Sequence, residues 1–199
     1  MFQTLKNAWR VPDIRKKLLY TLLMIIIFRF GSAVTVPFLD SSIVADWMNS
    51  NATNGNFLEY LNTMTGGALS QATVFSLSIT PYINASIIMQ LLTYALPPLE
   101  RLRDEGEEGR KKIEKITAFV ALGLSVFMSF AYYLTLKNSM QAVEYTTGWE
   151  KYFSAAVIIA CFVAGASFVV WMGNRISDKG IGNGVSMILF AGIAARFPV

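Results

Sequence analysis

Two stretches limit what this chain can become. Residues 116–136 read ITAFVALGLSVFMSFAYYLTL and residues 152–173 read YFSAAVIIACFVAGASFVVWMG, 21 and 22 residues without one Asp, Glu, Lys or Arg. An α-helix of about 20 such residues matches the thickness of a bilayer's hydrocarbon core. Three further stretches follow the pattern less strictly: 18–37 with Arg29 inside it, 74–96, uncharged but rich in hydroxyls, and 183–199, which carries Arg196 near its end. The expected architecture is therefore all-α and polytopic, with five transmembrane helices at about 18–37, 74–96, 116–136, 152–173 and 183–199. Composition agrees: 54% of the 199 residues are hydrophobic and 15% are charged, against about 25% charged in soluble domains. A chain of this size and polarity cannot hide its apolar side chains in water.

The residue inventory excludes several chemistries. Histidine is absent and Cys161 is the one cysteine. No His/Cys metal site, no Ser-His-Asp or Cys-His pair and no intramolecular disulfide can be assembled. The chain is expected not to be an enzyme and to need no metal or cofactor. Basic residues cluster instead by segment. Residues 1–17, 97–115 and 174–182 hold thirteen of the 17 Lys and Arg, which places these segments, and the N-terminus, on the cytoplasmic side. Within 1–17, Phe2, Leu5 and Trp9 share a helix face beside Lys6 and Arg10, the pattern of an interfacial helix. The first span is too long for a signal peptide and four others follow it.

Several segments are not simple spans. Residues 40–73 begin polar and turn-rich and continue as FLEYLNTMTGGALSQATV, with Glu59 and the pair Gly66-Gly67. That second part is too polar to span; it either rests on the outer surface or folds back between helices, where protein or water must surround its backbone. In the second span, Ser86, Gln90 and Thr93 fall at i, i+4 and i+7, on one face, where they either bond a neighbouring helix or border water. ISDKGIGNGVS reads as a tight turn with Asn183 capping the next helix. PPLERLRDEGEEGRKKIEK reads as a solvated connector, with Pro97-Pro98 stopping the second span. Ala160, Ala164, Cys161 and Gly165 give the fourth span a close-packing surface. Arg29 is an intramembrane cation with a structural role in preference to a transport one, and no span holds an acid, which weighs against an ion-coupled transporter. An odd number of spans ending at Phe-Pro-Val reads as one half of a larger protein.

MTGGALSQATVFSLSITPYINASIIMQLLT, then EGEEGRKK, then ISDKGIGNGVSMILFAGI resemble, in order and spacing, the SecY family of channel subunits of the bacterial protein translocase. The resemblance implies a ten-helix channel in two inverted halves, this chain corresponding to the first. It implies a short plug helix, about residues 57–73, with Leu61, Met64, Gly66, Gly67 and Leu69 in it. It implies an apolar pore ring to which Ile83, Ile87, Val185 and Leu189 contribute, and a lateral gate bearing Ser86, Gln90 and Thr93. The implied partners are SecE, SecG, the motor SecA or a ribosome, translocating pre-proteins and signal sequences, and the bilayer of the bacterial plasma membrane, with no direct nucleic-acid contact. Two copies of an isolated half could pair antiparallel, against the charge bias. The competing reading is half of an inverted-repeat small-molecule transporter, which requires a binding constellation at the midplane.

Overall fold

A computed structural model describes residues 11–51, 62–143 and 148–194. The interfacial helix expected around Phe2, Leu5 and Trp9, together with Leu61 and Arg196, lies outside the described residues. Seven named helices follow in order: α1 Pro12–Gly31, α2 Ser41–Asn51, α3 Thr80–Ala95, α4 Pro97–Asp104, α5 Glu107–Asn138, α6 Glu150–Lys179 and α7 Gly184–Ala194. Among the described residues there is no strand, and the extended pieces meet in two isolated antiparallel bridges, Thr35 with Thr73 and Leu39 with Val143.

Local chemistry sets most boundaries. Pro12 opens α1 with Asp13 in its first turn, where a missing N–H costs nothing and a negative charge meets the positive end of the helix. Leu96 sits extended at φ −111° and ψ 115°, as a residue before proline must, so α3 ends and Pro97 starts α4. Gly106, at φ 77°, turns the chain into α5, whose first turn carries Glu107 and Glu108. Asn183 Oδ1 accepts from the N–H groups of Val185 (3.0 Å) and Ser186 (3.3 Å), the cap its sequence position predicts.

Two stretches depart from the sequence reading. Helix α1 stops at Gly31, short of Pro37, because the next residues pair with another segment: Val36 N–H donates to Ala72 O (3.0 Å) and Val74 N–H to Val34 O (2.9 Å). The polar start of the long connection is a helix, α2. Asp40 Oδ1 accepts from Ser42 N–H (2.9 Å) and Ser42 Oγ (2.6 Å), an N-cap, while Val44 and Met48, one turn apart, are buried.

The long helices pack in sequence order. α3 lies on α5, α5 on α6, α6 on α7, and α1 against both α6 and α7. Helix α5 turns its small polar side chains inward. Thr117, Ala121, Ser125, Ser129 and Tyr133 are buried at every fourth position, and Ser125 and Ser129 return their hydroxyls to Leu122 O (2.7 Å) and Ser125 O (2.6 Å). Phe119 (77% exposed) and Phe127 (71%) face out. Water would reverse this arrangement, whereas lipid favours it, since close helix approach needs small residues and the surroundings are as apolar as phenylalanine. By length and composition α5 and α6 can each cross a bilayer, and α7 is an apolar helix of 11 residues.

Candidate pore and its seal

The Gly66-Gly67 segment lies inside the helical frame. Of the two placements its sequence left open, the structure shows the folded-back one. From Thr65 to Ile79 eleven of fifteen residues are buried, yet this stretch is a succession of turns that follows helix at residues 62–64. Residues 57–61 of the expected plug helix lie outside the described residues; within the described residues the segment passes from helix at 62–64 into turns. Buried irregular backbone must find partners for each N–H and C=O, and here nearby hydroxyls and amides supply them. Ser70 N–H donates to Asn62 Oδ1 (3.0 Å), Leu69 N–H to Thr65 Oγ1 (3.3 Å), and Ser76 Oγ to both Ala68 O (2.9 Å) and Thr73 O (2.6 Å). Among the described residues, no buried side-chain polar atom is left without a partner.

Of the plug candidates, Leu69 and Gly67 are buried, Met64 and Gly66 half-buried, and Leu61 falls outside the described residues. Gly66 adopts φ 69° and Gly67 φ 89°, a left-handed backbone that glycine enters without steric cost. The two glycines also permit contact with α7. A Cβ on Gly66 would stand 2.9 Å from Gly192 O and 3.3 Å from an Arg29 guanidinium nitrogen, and one on Gly192 would stand 3.0 Å from Met64 O. Arg29 thus sits where α1, the turn and the last turn of α7 meet.

The pore candidates are largely brought together. Ile83, Val185 and Leu189 are half-buried against one cluster formed by Met24, Phe28, Phe75, Ile79, Val169, Met172, Ile176 and Ile188. Ile87, one turn beyond Ile83, is 51% exposed and does not join that cluster. These side chains carry no charge and no hydrogen-bonding group.

The three gate candidates separate. Thr93 lies in the buried column Pro81, Ala85, Met89, Thr93, on the helix that packs on α5, and its hydroxyl donates to Met89 O (2.7 Å). Ser86 is half-buried and bonded to Ile83 O (2.8 Å). Gln90 is exposed. A spacing of i, i+4, i+7 spans an arc wide enough to run from a packed seam to an open face, and here it does.

Sequence reasoning missed three contributors. Tyr132 on α5 donates its hydroxyl to Leu69 O (3.0 Å). Phe75 stacks between Phe28 (5.7 Å) and Phe168 (6.0 Å), fixing the end of the turn segment between α1 and α6. Thr21 Oγ1 accepts from Ile181 N–H (3.2 Å), holding the turn between α6 and α7 to the middle of α1. The signal for Tyr132 was a phenol inside an apolar run, whose hydroxyl needs an acceptor.

The SecY family model matches residues 73–199, more than half of the chain. The chain belongs to the SecY family. It is 39% identical over 199 residues to the protein translocase subunit SecY of Escherichia coli K12, covering 99% of this chain and 43% of that protein. To SecY of Thermotoga maritima it is 38% identical over 201 residues, covering 100% and 46%. To SecY of Streptomyces coelicolor it is 37% identical over 203 residues, again covering 100% and 46%. The chain spans about half the length of these curated SecY relatives. Among solved structures it is similar to Sec61 in a canine ribosome–channel complex from the endoplasmic reticulum, with TM-score 0.63, 18% identity, and 90% of this chain and 36% of that one covered. "The structure of a protein conducting channel" agrees to the same extent. At that identity the likeness is one of fold.

Proposed function

We propose that this chain forms one half of a SecY-type channel that conducts unfolded polypeptides across, and releases membrane segments into, the bacterial plasma membrane. The observation that carries the reading is the buried turn segment 62–79, enclosed by α1, α5, α6 and α7 beside an uncharged apolar cluster. A chain in transit must pass while ions must not. Apolar side chains at a narrow waist dewet it when it is empty, and Ile83, Ile87, Val185 and Leu189 are assigned to that waist. Residues 62–79 are assigned the role of seal over it. Ser86 and Gln90 are assigned to a lateral gate, where exchanging one hydrogen bond for another changes the free energy little. Thr93 supports the seam with α5 instead.

On this reading the chain makes five crossings with a cytoplasmic N-terminus. The basic residues at the start of α1, on α4 and the start of α5, and at the end of α6 then lie on one side. SecE, SecG, and SecA or a ribosome are the partners of the complete channel. A small-molecule transporter would need a midplane binding group, and residues 18–31, 80–95, 116–136, 152–173 and 184–194 contain no Asp or Glu.

Cysteine crosslinking to a stalled secretory chain tests the assignment in the complete channel, with Cys161 first replaced by alanine. Crosslinks from cysteines placed singly at positions 83, 87, 185 and 189, absent from the outward positions 119 and 127, are expected. Crosslinks from the outward positions instead would overturn the pore assignment.

A further inference from the structure

Residues 62–70 close on themselves. Asn62 O accepts from Gly67 N–H (2.9 Å) and from Thr65 Oγ1 (3.0 Å), while Asn62 Oδ1 accepts from Ser70 N–H (3.0 Å). Ser70 Oγ donates to Gly67 O (2.9 Å). A knot bonded in this way keeps its own partners wherever it goes, so its position is set by the groups it turns outward. Two adjacent carbonyls do this. Ala68 O accepts from Thr73 N–H (3.2 Å) and Ser76 Oγ (2.9 Å), which belong to the turns that follow. Leu69 O accepts from Ala72 N–H (3.2 Å) and from Tyr132 of α5, 63 residues away in sequence, at 3.0 Å. The Tyr132 ring is held in turn against Phe162 of α6, centroids 5.2 Å apart.

We propose that Tyr132 is the latch of the seal: a positioning residue whose phenol hydroxyl holds the knot against α5 and lets go when the channel opens. The proposal rests on reading residues 62–79 as the seal. The physical case is one of satisfaction. A phenol within an apolar helix bundle needs an acceptor, and a carbonyl in the same surroundings needs a donor. The docked knot gives the phenol its acceptor and fills the second lone pair of Leu69 O. Displacing it orphans the phenol and leaves Leu69 O with Ala72 N–H alone unless water enters, and an opening funnel admits water. The bond therefore favours the docked state while the channel is dry and loses its advantage once the channel is wet, as a reversible closure requires. Its location fits that role, because the knot also meets α7 through the bare backbone around Gly66 and Gly192, where two glycines give contact without a gripping side chain.

Tyr132→Phe removes the hydroxyl and keeps the ring that packs on Phe162. The reporter is a single cysteine, Leu69→Cys, in a Cys161→Ala background, embedded in lipid vesicles and exposed to a membrane-impermeant maleimide. Leu69 is buried, so labelling reads undocking. Loss of one net hydrogen bond should speed labelling about five- to tenfold. A second reporter, Ile158→Cys, lies in the same core as Phe162 and should not change, nor should Tyr133→Phe speed labelling at position 69. Unchanged labelling at position 69, or equal acceleration at positions 69 and 158, would overturn the latch, the second by showing that Tyr132 merely supports the core. Ion flux through the complete channel separates the two readings. Faster labelling with no rise in flux leaves the latch standing and removes the seal. Flux that rises when the knot is deleted, with labelling unaffected by Tyr132→Phe, does the reverse.

Discussion

Helices α5 and α6 and the segment 62–79 belong to one frame, yet they satisfy their backbones in opposite ways. The helices bond within themselves, residue to residue, and owe their neighbours only close packing. The segment depends on Asn62, Thr65, Thr73 and Ser76 for its internal bonds, on residues 34–36 for pairing, and on Tyr132 for one carbonyl. Elements of the first kind make a rigid wall. An element of the second kind is a compact knot, residues 62–70, whose bond to Tyr132 can be exchanged for water, joined to the wall by residues 72–79, which pack into it through Phe75 and Val74. That difference is what a channel with a removable closure needs.

The sharpest way to break the join between wall and segment is at Gly165, where α6 passes against the Val74 carbonyl so closely that a Cβ would collide with it. Gly165→Val should destabilise the assembly by about 3 kcal/mol or more. Gly123→Val, on an open face of α5 with nothing near its absent Cβ, should stay within about 0.5 kcal/mol. Thermal unfolding in detergent compares them. A similar loss for both would show that the contact is not what matters.

Next in size is the closure itself. Gly66→Val forces a branched side chain onto φ 69° and against Gly192 O, at a cost of about 1–3 kcal/mol. Because the knot bonds within itself, this should displace the knot and leave the unfolding of α5 and α6 nearly unchanged, as limited proteolysis and unfolding curves would report.

The two faces of α5 give a smaller contrast. Ser129→Phe, at a fully buried position, should cost about 1–3 kcal/mol by overpacking, whereas Phe119→Leu, at an outward one, should cost less than about 0.5 kcal/mol. Equal costs would contradict the inward placement of the small polar residues.

The smallest effect concerns α2. The Ser42 hydroxyl and N–H hold the Asp40 carboxylate below its ordinary pKa of 3.8. The ionised form is thus the better cap: its contribution is fully present above the ordinary carboxylate range and disappears as pH falls through the lowered value. Amide protection of α2 should drop on acidification in the native chain and stay flat in Asp40→Asn, whose amide oxygen caps without titrating. A parallel drop in both would remove Asp40 as the cause.

The sequence made the wall legible and the closure only in part. Uncharged runs announced α5 and α6 because lipid imposes length and polarity on a spanning helix. Asn183 and Pro97 marked real boundaries because caps and prolines act locally. The end of α1 was not legible, since residues 34–36 leave the helix for partners near Ala72 and Val74, far along the chain. Helix α2 was hidden by its polar composition, although Asp40, Ser42 and the buried pair Val44 and Met48 were there to be read. Gly66-Gly67 pointed to a special segment, but its burial arises from the surrounding helices, and the Tyr132 contact exists only in three dimensions. The i, i+4, i+7 pattern put Thr93 with Ser86 and Gln90, and packing against α5 divided them.

The central claim is that residues 62–79 form a removable closure in a fixed helical frame. It is tested most directly by resting ion conductance of the complete channel in a planar bilayer, with Gly66→Val compared to the native residue. The account predicts a channel that conducts ions at rest, with helices that unfold as before. A Gly66→Val channel as ion-tight as the native one, with its knot shown to be displaced, would contradict it.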